Sequence, residues 1–331
     1  MRAQLLPPNQ FHRFYRGGAR IDALRGAPVG EDDRPEDWVG STATSFGSDS
    51  EGLSRLEDGR LLRDAIAADP EGYLGPDHVE RWGADPAILI KLLDAGQRLA
   101  VHLHPGRRFA REHLGMRFGK TESWIILEAE PDAAVHVGPR EPLELETVRG
   151  WVEEQDSDAM LAALRRVPVA AGDAVLVPAG TMHAIGAGIL LLELQEPTDL
   201  SVLVEWKPFG VDDGSEHLEL GWDTALQAVD LEPADITALT TPGGDGLLPA
   251  AADPYFRAER IRGGDEIGPS FAVLLATGGE GALRSSDGDE LELRRGTTAL
   301  VPYGAGATTL TGDVEAIRCL PPVPTAGEGA W

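Results

Sequence analysis

The run Gly172-Asp-Ala-Val-Leu-Val-Pro-Ala-Gly180 recurs far down the chain as Gly296-Thr-Thr-Ala-Leu-Val-Pro-Tyr-Gly304. Each copy reads as a glycine turn, a short apolar strand, and a proline–glycine stop. A turn–strand–stop unit written twice implies two β modules of one build, and 331 residues are enough to give each its own core. The copies differ in one respect. His183 stands eleven residues after Gly172, whereas the position eleven after Gly296 is Ala307.

The rest of the chain fits a mainly β architecture. Residues 1–85 are rich in glycine, proline, aspartate and arginine, with one helix expected over Arg60 to Ala68. From Pro86 the texture changes to apolar runs separated by turn residues. Ala87–Asp94, Arg98–His104, Ser123–Glu128, Ala134–Val137, Val167–Val177, Gly188–Glu196 and Ser201–Trp206 all read as strands. Helical spacing of apolar residues places an insertion at about 142–166, and a further amphipathic helix is expected over Leu218 to Val229. The repeated turn–strand unit is a hallmark of the double-stranded β-helix, or cupin, barrel. The expected architecture is therefore two cupin barrels with a helical insertion. Residues 1–85 would complete the first barrel, 86–206 form the metal-binding cupin domain, and 207–254 form a helix and linker. Residues 255–320 form a second barrel lacking metal ligands, and 321–331 a loose tail.

Three short islands carry the chemistry. Leu99-Ala-Val-His102-Leu-His104-Pro105 places two imidazoles two residues apart, on one face of a strand. Thr121-Glu122-Ser123 opens the next strand, and Gly180-Thr-Met-His183-Ala184 follows a strand into a tight turn. Each histidine taken alone is as readily a core or surface residue. Together, His102, His104, Glu122 and His183 make a complete donor set for one zinc-like divalent ion.

Composition narrows the function classes. Lysine and arginine total 29 against 55 aspartates and glutamates, a net charge of −26. Such an excess repels phosphodiester backbones and anionic lipid, so neither nucleic acid nor a membrane is an expected partner. Cys319 is the only cysteine, which excludes an intrachain disulfide and thiolate metal clusters. The N-terminus has no signal-peptide-like apolar stretch and no run reaches the roughly 20 residues of a membrane span, so a cytoplasmic location is expected.

With these residues in view, the chain resembles the type I phosphomannose isomerase (mannose-6-phosphate isomerase) family of the cupin superfamily, nearly end to end. Pro35-Glu-Asp-Trp38-Val-Gly-Ser41 resembles the family's opening segment, and Gly119-Lys120-Thr121-Glu122-Ser123-Trp124 its GKTE-type signature. The run from Val177 through His183 to Glu193 resembles the segment of its fourth ligand. The resemblance implies a metal-dependent aldose–ketose isomerase converting mannose 6-phosphate to fructose 6-phosphate. One Zn2+ ion, or another divalent metal, would sit on His102, His104, Glu122 and His183. It implies Glu193 and Lys120 as catalytic residues, Lys120 and Lys207 as substrate contacts, a small sugar or sugar phosphate as partner, and a monomer or weak homo-oligomer.

Three departures from the family pattern keep alternatives open. Ala100 stands at the position of a phosphate-contacting serine, Leu203 at that of an arginine, and Phe209 near that of a phosphate-contacting lysine. An isomerase or epimerase of a non-phosphorylated sugar, or a non-catalytic metal-containing sugar-binding cupin, is the alternative reading. Arg107, Arg108, Arg16 and Arg20 are candidates to replace the missing arginine. Trp38 and Trp124 are expected as core aromatics, and Asp199 as a turn residue.

Overall fold

A computed structural model describes residues 1–211, 214–244 and 246–323. The tail expected over 321–331 lies outside the described residues from 324 onward. Four antiparallel sheets form two barrels. In the first, a seven-stranded sheet runs Thr240–Thr241, Ala174–Val177, Glu122–Ala129, Ile189–Gln195, Leu89–Ala95, Glu36–Val39, Gln10–Phe11. It faces a five-stranded sheet ordered Val202–Leu203, His102–Leu103, His183–Ile185, Ala134–Pro139, Leu164–Pro168. In the second barrel, a five-stranded sheet ordered Gln4–Leu5, Thr298–Val301, Ala272–Gly278, Glu315–Leu320, Arg257–Arg262 faces a four-stranded one.

Strand parity assigns every side chain to a layer. Along Leu89–Ala95 and Ile189–Gln195 all positions are buried, because both faces of these strands are covered. Ile90, Leu92, Leu190, Leu192 and Leu194 point away from the first barrel and meet Val273, Leu275, Leu300, Ile317 and Cys319 of the second. The barrels thus stand back to back across one apolar layer. Burying each such Leu or Ile side chain stabilises by about 1.5–3 kcal/mol. The alternate positions Leu93, Trp124, Ile126, Ile189 and Leu191 fill the first barrel's interior.

The repeated segment folds alike in both halves. Ala174–Val177 and Thr298–Val301 are the two strands, and each follows a glycine in the left-handed region, Gly172 at φ +96° and Gly296 at φ +86°. At Gly296 a Cβ would lie 1.8 Å from the Leu24 carbonyl oxygen, so close approach as well as backbone angle demands glycine.

The helical insertion is Leu145–Glu154 and Ser157–Ala163, the second capped by Asp156, whose carboxylate accepts from the Ala159 N–H at 3.0 Å. Val148, Val152 and Met160 cover the outer face of the five-stranded sheet at Val101, Leu103, Met182 and Ala184. The opposite parity turns His102, His104 and His183 inward.

Several expectations are corrected. The helix over Leu218–Val229 is instead two short pieces, Trp222–Ala225 and Leu226–Ala228, because Leu218 and Glu219 adopt left-handed φ values of 56° and 59° and Gly221 follows them. Arg98–His104 pairs as a strand only at His102–Leu103. The N-terminal 85 residues contribute to both barrels: Glu36–Val39 pairs with Leu89–Ala95 in the first, while Gln4–Leu5 pairs with Thr298–Val301 in the second.

Candidate active site

Two facing rows of side chains build the site. In the five-stranded sheet, His102 lies directly across from His183 on one side and Leu203 on the other. In the seven-stranded sheet, Glu193 is flanked by Trp124 and Lys91, and Lys91 by Trp38. Cross-strand partners share a face, so both rows enter the first barrel's interior. A cavity of about 170 Å³ opens between them, with His102, Lys120, Glu122 and Glu193 in its walls.

The three imidazoles are oriented by the backbone. His102 Nδ1 lies 2.8 Å from the Ala100 carbonyl oxygen, His104 Nδ1 2.8 Å from that of Leu200, and His183 Nδ1 2.8 Å from that of Thr181. A carbonyl oxygen only accepts, so each Nδ1 carries the proton and each Nε2 presents a lone pair. The ligating nitrogens lie within 4.8 Å of one another. Glu122 closes the group, with Oε2 2.9 Å from His104 Nε2 and Oε1 3.3 Å from His183 Nε2. The Trp124 indole N–H donates to Glu122 Oε1 at 3.0 Å and fixes the carboxylate.

Burial, followed by the Lys120 ammonium, lowers His104 to about 3. Burial, with the neighbouring His183 and His104 rings, holds His102 well below the usual histidine range. Both rings are thereby kept in the neutral, ligating form. Glu122 is held well below the ordinary carboxylate range: burial opposes this, but Lys120 and His104 overcome it.

The donor set fits a divalent ion. His183 Nε2 is buried without a hydrogen-bond partner, Glu122 Oε2 is met by ion-pair contacts alone, and lone pairs on nitrogen and oxygen converge from several sides. Such convergence is costly unless a cation lies among them. The backbone-tethered Nδ1 atoms and the indole clamp on Glu122 are the outer supports that metal-ligating imidazoles and carboxylates need. Lys120 answers to the same field: its Nζ lies 2.9 Å from His104 Nε2 and 3.2 Å from Glu122 Oε2.

Beyond this set lies a buried charge cluster that motif reading does not reveal. Lys91 Nζ sits 3.4 Å from Glu36, 3.8 Å from Glu193 and 3.9 Å from Asp199, above the Trp38 ring at 4.7 Å. Arg13 reaches Glu36 at 3.0 Å and Asp199 at 3.4 Å. Glu36 also accepts from Tyr15 Oη at 2.5 Å and Trp38 Nε1 at 2.7 Å. Burial pushes the Glu193 carboxyl well above its ordinary range and Glu122 adds to the push, against Lys91 and Lys120.

The structure brings His102, His104, Glu122, His183, Lys120 and Glu193 together. It does not bring Lys207, which is exposed on a single turn, Lys207–Phe209, outside the cavity lining. None of Arg107, Arg108, Arg16 and Arg20 lines the cavity either; Arg107 is engaged by Glu196 and Arg20 by Asp94. The arginine that does line it is Arg13. Asp199 does more than shape a turn, since it is buried and binds Arg13. Trp38 and Trp124 are core aromatics that also each orient a carboxylate. Lys91, which the sequence reading passed over, is readable in retrospect as a charged residue inside an apolar strand run, where a buried charge requires a partner.

No family model matches the chain. Among characterised proteins, the mannose-6-phosphate isomerase of Streptococcus mutans is 29% identical over 328 residues, spanning 96% of this chain and 98% of that protein. The mannose-6-phosphate isomerase ManA of Bacillus subtilis is 31% identical over 235 residues, 70% of this chain and 73% of that protein. The chain belongs to the mannose-6-phosphate isomerase family. Its fold agrees with that of a crystallised B. subtilis mannose 6-phosphate isomerase, at a TM-score of 0.76 and 22% identity over 96% of this chain and 99% of that one. A mannose 6-phosphate isomerase bound with zinc and yttrium aligns at a TM-score of 0.73 and 18% identity, over 98% of this chain and 100% of that one. Family members are aldose–ketose isomerases, and the fold is mainly β.

Proposed function

We propose that the chain is a metal-dependent aldose–ketose isomerase of the mannose-6-phosphate isomerase type, using His102, His104, Glu122 and His183 as metal ligands and Glu193 as the proton-transferring group. The observation that carries this reading is the cluster of three Nδ1-tethered imidazoles with Glu122, whose His102 and Glu122 line the same cavity as the buried carboxyl of Glu193. Zinc is the ion the nitrogen-rich set suits best, with other divalent metals compatible.

Isomerising an aldose to a ketose moves one proton from C2 to C1 and another between the two oxygens. A divalent ion held by the four ligands would supply Lewis-acid polarisation of the sugar oxygens, worth several kcal/mol. The protein does the rest. Glu193 projects into the cavity and can take the C2 proton and return it at C1, a role that typically contributes about 10² to 10⁴ in rate. Lys91, 3.8 Å from the Glu193 carboxylate, holds that carboxyl in place. Lys120 donates from the other side, at the oxygens that gain negative charge as an enediol forms. The second barrel, without ligands, is read as structural support.

The test is conversion of aldose to ketose by the metal-supplemented full chain in deuterated water, followed by NMR. Ketose formation with deuterium entering at C1 supports the reading, and Glu193→Gln should remove both signals while leaving bound metal unchanged. A protein that binds metal yet turns over neither a phosphorylated nor a free aldose would instead be a sugar-binding cupin.

A further inference from the structure

Where the family pattern has an arginine, this cavity has the apolar side chain of Leu203, directly across from His102. Three cationic side chains line the cavity among the described residues: Arg13, Lys91 and Lys120. Lys91 is enclosed by Glu36, Glu193, Asp199 and the Trp38 ring, with 3% of its side chain exposed. Lys120, at 5%, is engaged by His104 and Glu122. Arg13 keeps 17% of its side chain exposed, so it is the cation that a ligand in the cavity can reach.

The Arg13 guanidinium is firmly held and only partly used. Arg13 follows the strand Gln10–Phe11, and its backbone N–H donates to the Asp33 carbonyl oxygen at 2.8 Å. Its Nε donates to Glu36 at 3.0 Å, and the group lies over the Phe11 ring at 5.7 Å. Nη1 and Nη2 share one acceptor, Asp199 Oδ2, each at a long 3.4 Å. A guanidinium has five N–H donors, so two of them meet no acceptor among the described residues. A pre-oriented fork with donors in reserve matches a phosphate, which it can bind bidentately. Tyr15, Ser201 and Ser215 line the same cavity and bring hydroxyls, but a phosphate monoester near neutral pH carries about −1.5 to −2 charges and calls for a cation. A divalent ion on the four ligands, added to three cations against the carboxyls of Glu36, Glu122, Glu193 and Asp199, leaves the loaded wall net positive.

We propose that Arg13 is a specificity-determining residue of this site, whose guanidinium receives the phosphate of the sugar phosphate. The charge absent at Leu203 is supplied from the N-terminal segment. Arg13 is linked to Glu193 through Asp199 and Lys91, which keeps the phosphate end apart from the reacting carbons. The proposal rests on the isomerase reading and names the residue that recognises the charged end of its substrate.

The experiment measures Kd by calorimetry on the zinc-loaded full chain for D-mannitol 6-phosphate, which has no carbonyl to isomerise, and for D-mannitol. Arg13→Met should weaken the phosphorylated polyol about tenfold or more and leave mannitol within about twofold. Arg13→Lys, which keeps the charge and loses the fork, should fall between. Equal losses for both polyols would make Arg13 a support for Glu36 and Asp199 alone, and no loss would remove it from binding; either result overturns the proposal. A crystal structure of the wild-type chain with D-mannitol 6-phosphate decides independently of any variant. Phosphate oxygens within hydrogen-bonding distance of Arg13 Nη1 or Nη2 support the proposal, and a phosphate seated elsewhere overturns it. Ketose formation by the wild type is read separately, so failure of the isomerase reading is distinguishable from failure of this one.

Discussion

The two barrels share a strand plan, a glycine turn and a common apolar wall, yet only the first sets a cluster of buried charges beside its apolar interior. Inside the first stand three histidines, three glutamates, an aspartate, an arginine and two lysines, tied into a network of charges. Inside the second stand Ile261, Leu274, Leu283, Leu293, Ala299 and Leu310, and their neighbours are likewise apolar. An apolar barrel holds itself closed by burial alone. A buried charge cluster is stable only where each charge is paired and each polar atom oriented, and the first barrel gains outside support. On one side it leans on the second barrel through Val273, Leu275, Leu300 and Ile317; on the other it is capped by the helical insertion through Val148, Val152 and Met160. The lesson is a division of labour, with one copy of the fold carrying the buried polar groups and the other an apolar interior packed against it.

That contrast can be broken in several ways. Replacing His183 by Ala removes one of the four proposed metal ligands, and activity should fall by about 10³ or more, in line with losing several kcal/mol of metal assistance. Glu193→Gln should cost about 10² to 10⁴ in kcat with bound metal unchanged by elemental analysis. Full activity in that variant would remove Glu193 from the reaction. Trp124→Phe keeps the ring and deletes the indole donor to Glu122, so metal affinity should weaken by about 10- to 100-fold in a chelator competition. Leu300→Ala, at the shared wall, should destabilise the chain by about 2–5 kcal/mol in denaturant unfolding while leaving kcat of the folded protein unchanged. The smallest effect belongs to Ala307→His. This position echoes His183 in the repeat but is exposed, outside an interior that offers apolar side chains, so the variant should bind no second ion.

Much of this organisation is legible in the amino-acid order, and the parts that are not share a cause. The Gly172–Gly180 and Gly296–Gly304 echo reports local turn–strand chemistry, which survives into the fold, and His102 and His104 report strand parity. The helix expected over Leu218–Val229 fails because apolar spacing says nothing of the left-handed backbone at Leu218 and Glu219. Gln4–Leu5 crosses to the second barrel because strand pairing is settled by tertiary contacts far away in sequence. Arg13, Glu36, Lys91 and Asp199 form one cluster from four separate segments, and no local pattern joins them. Lys207 illustrates the reverse case, since its place in a resemblance carried no information about which way its turn faces.

The most direct test of the account is the divalent-metal content of the purified full chain after equilibration with zinc and removal of free ion, beside the double variant His102→Ala/His104→Ala. The expected result is about one ion per wild-type chain and none in the double variant, with both proteins folded. A double variant that keeps its ion, or a wild-type chain that holds none, would contradict the assignment of the chemistry to the first barrel.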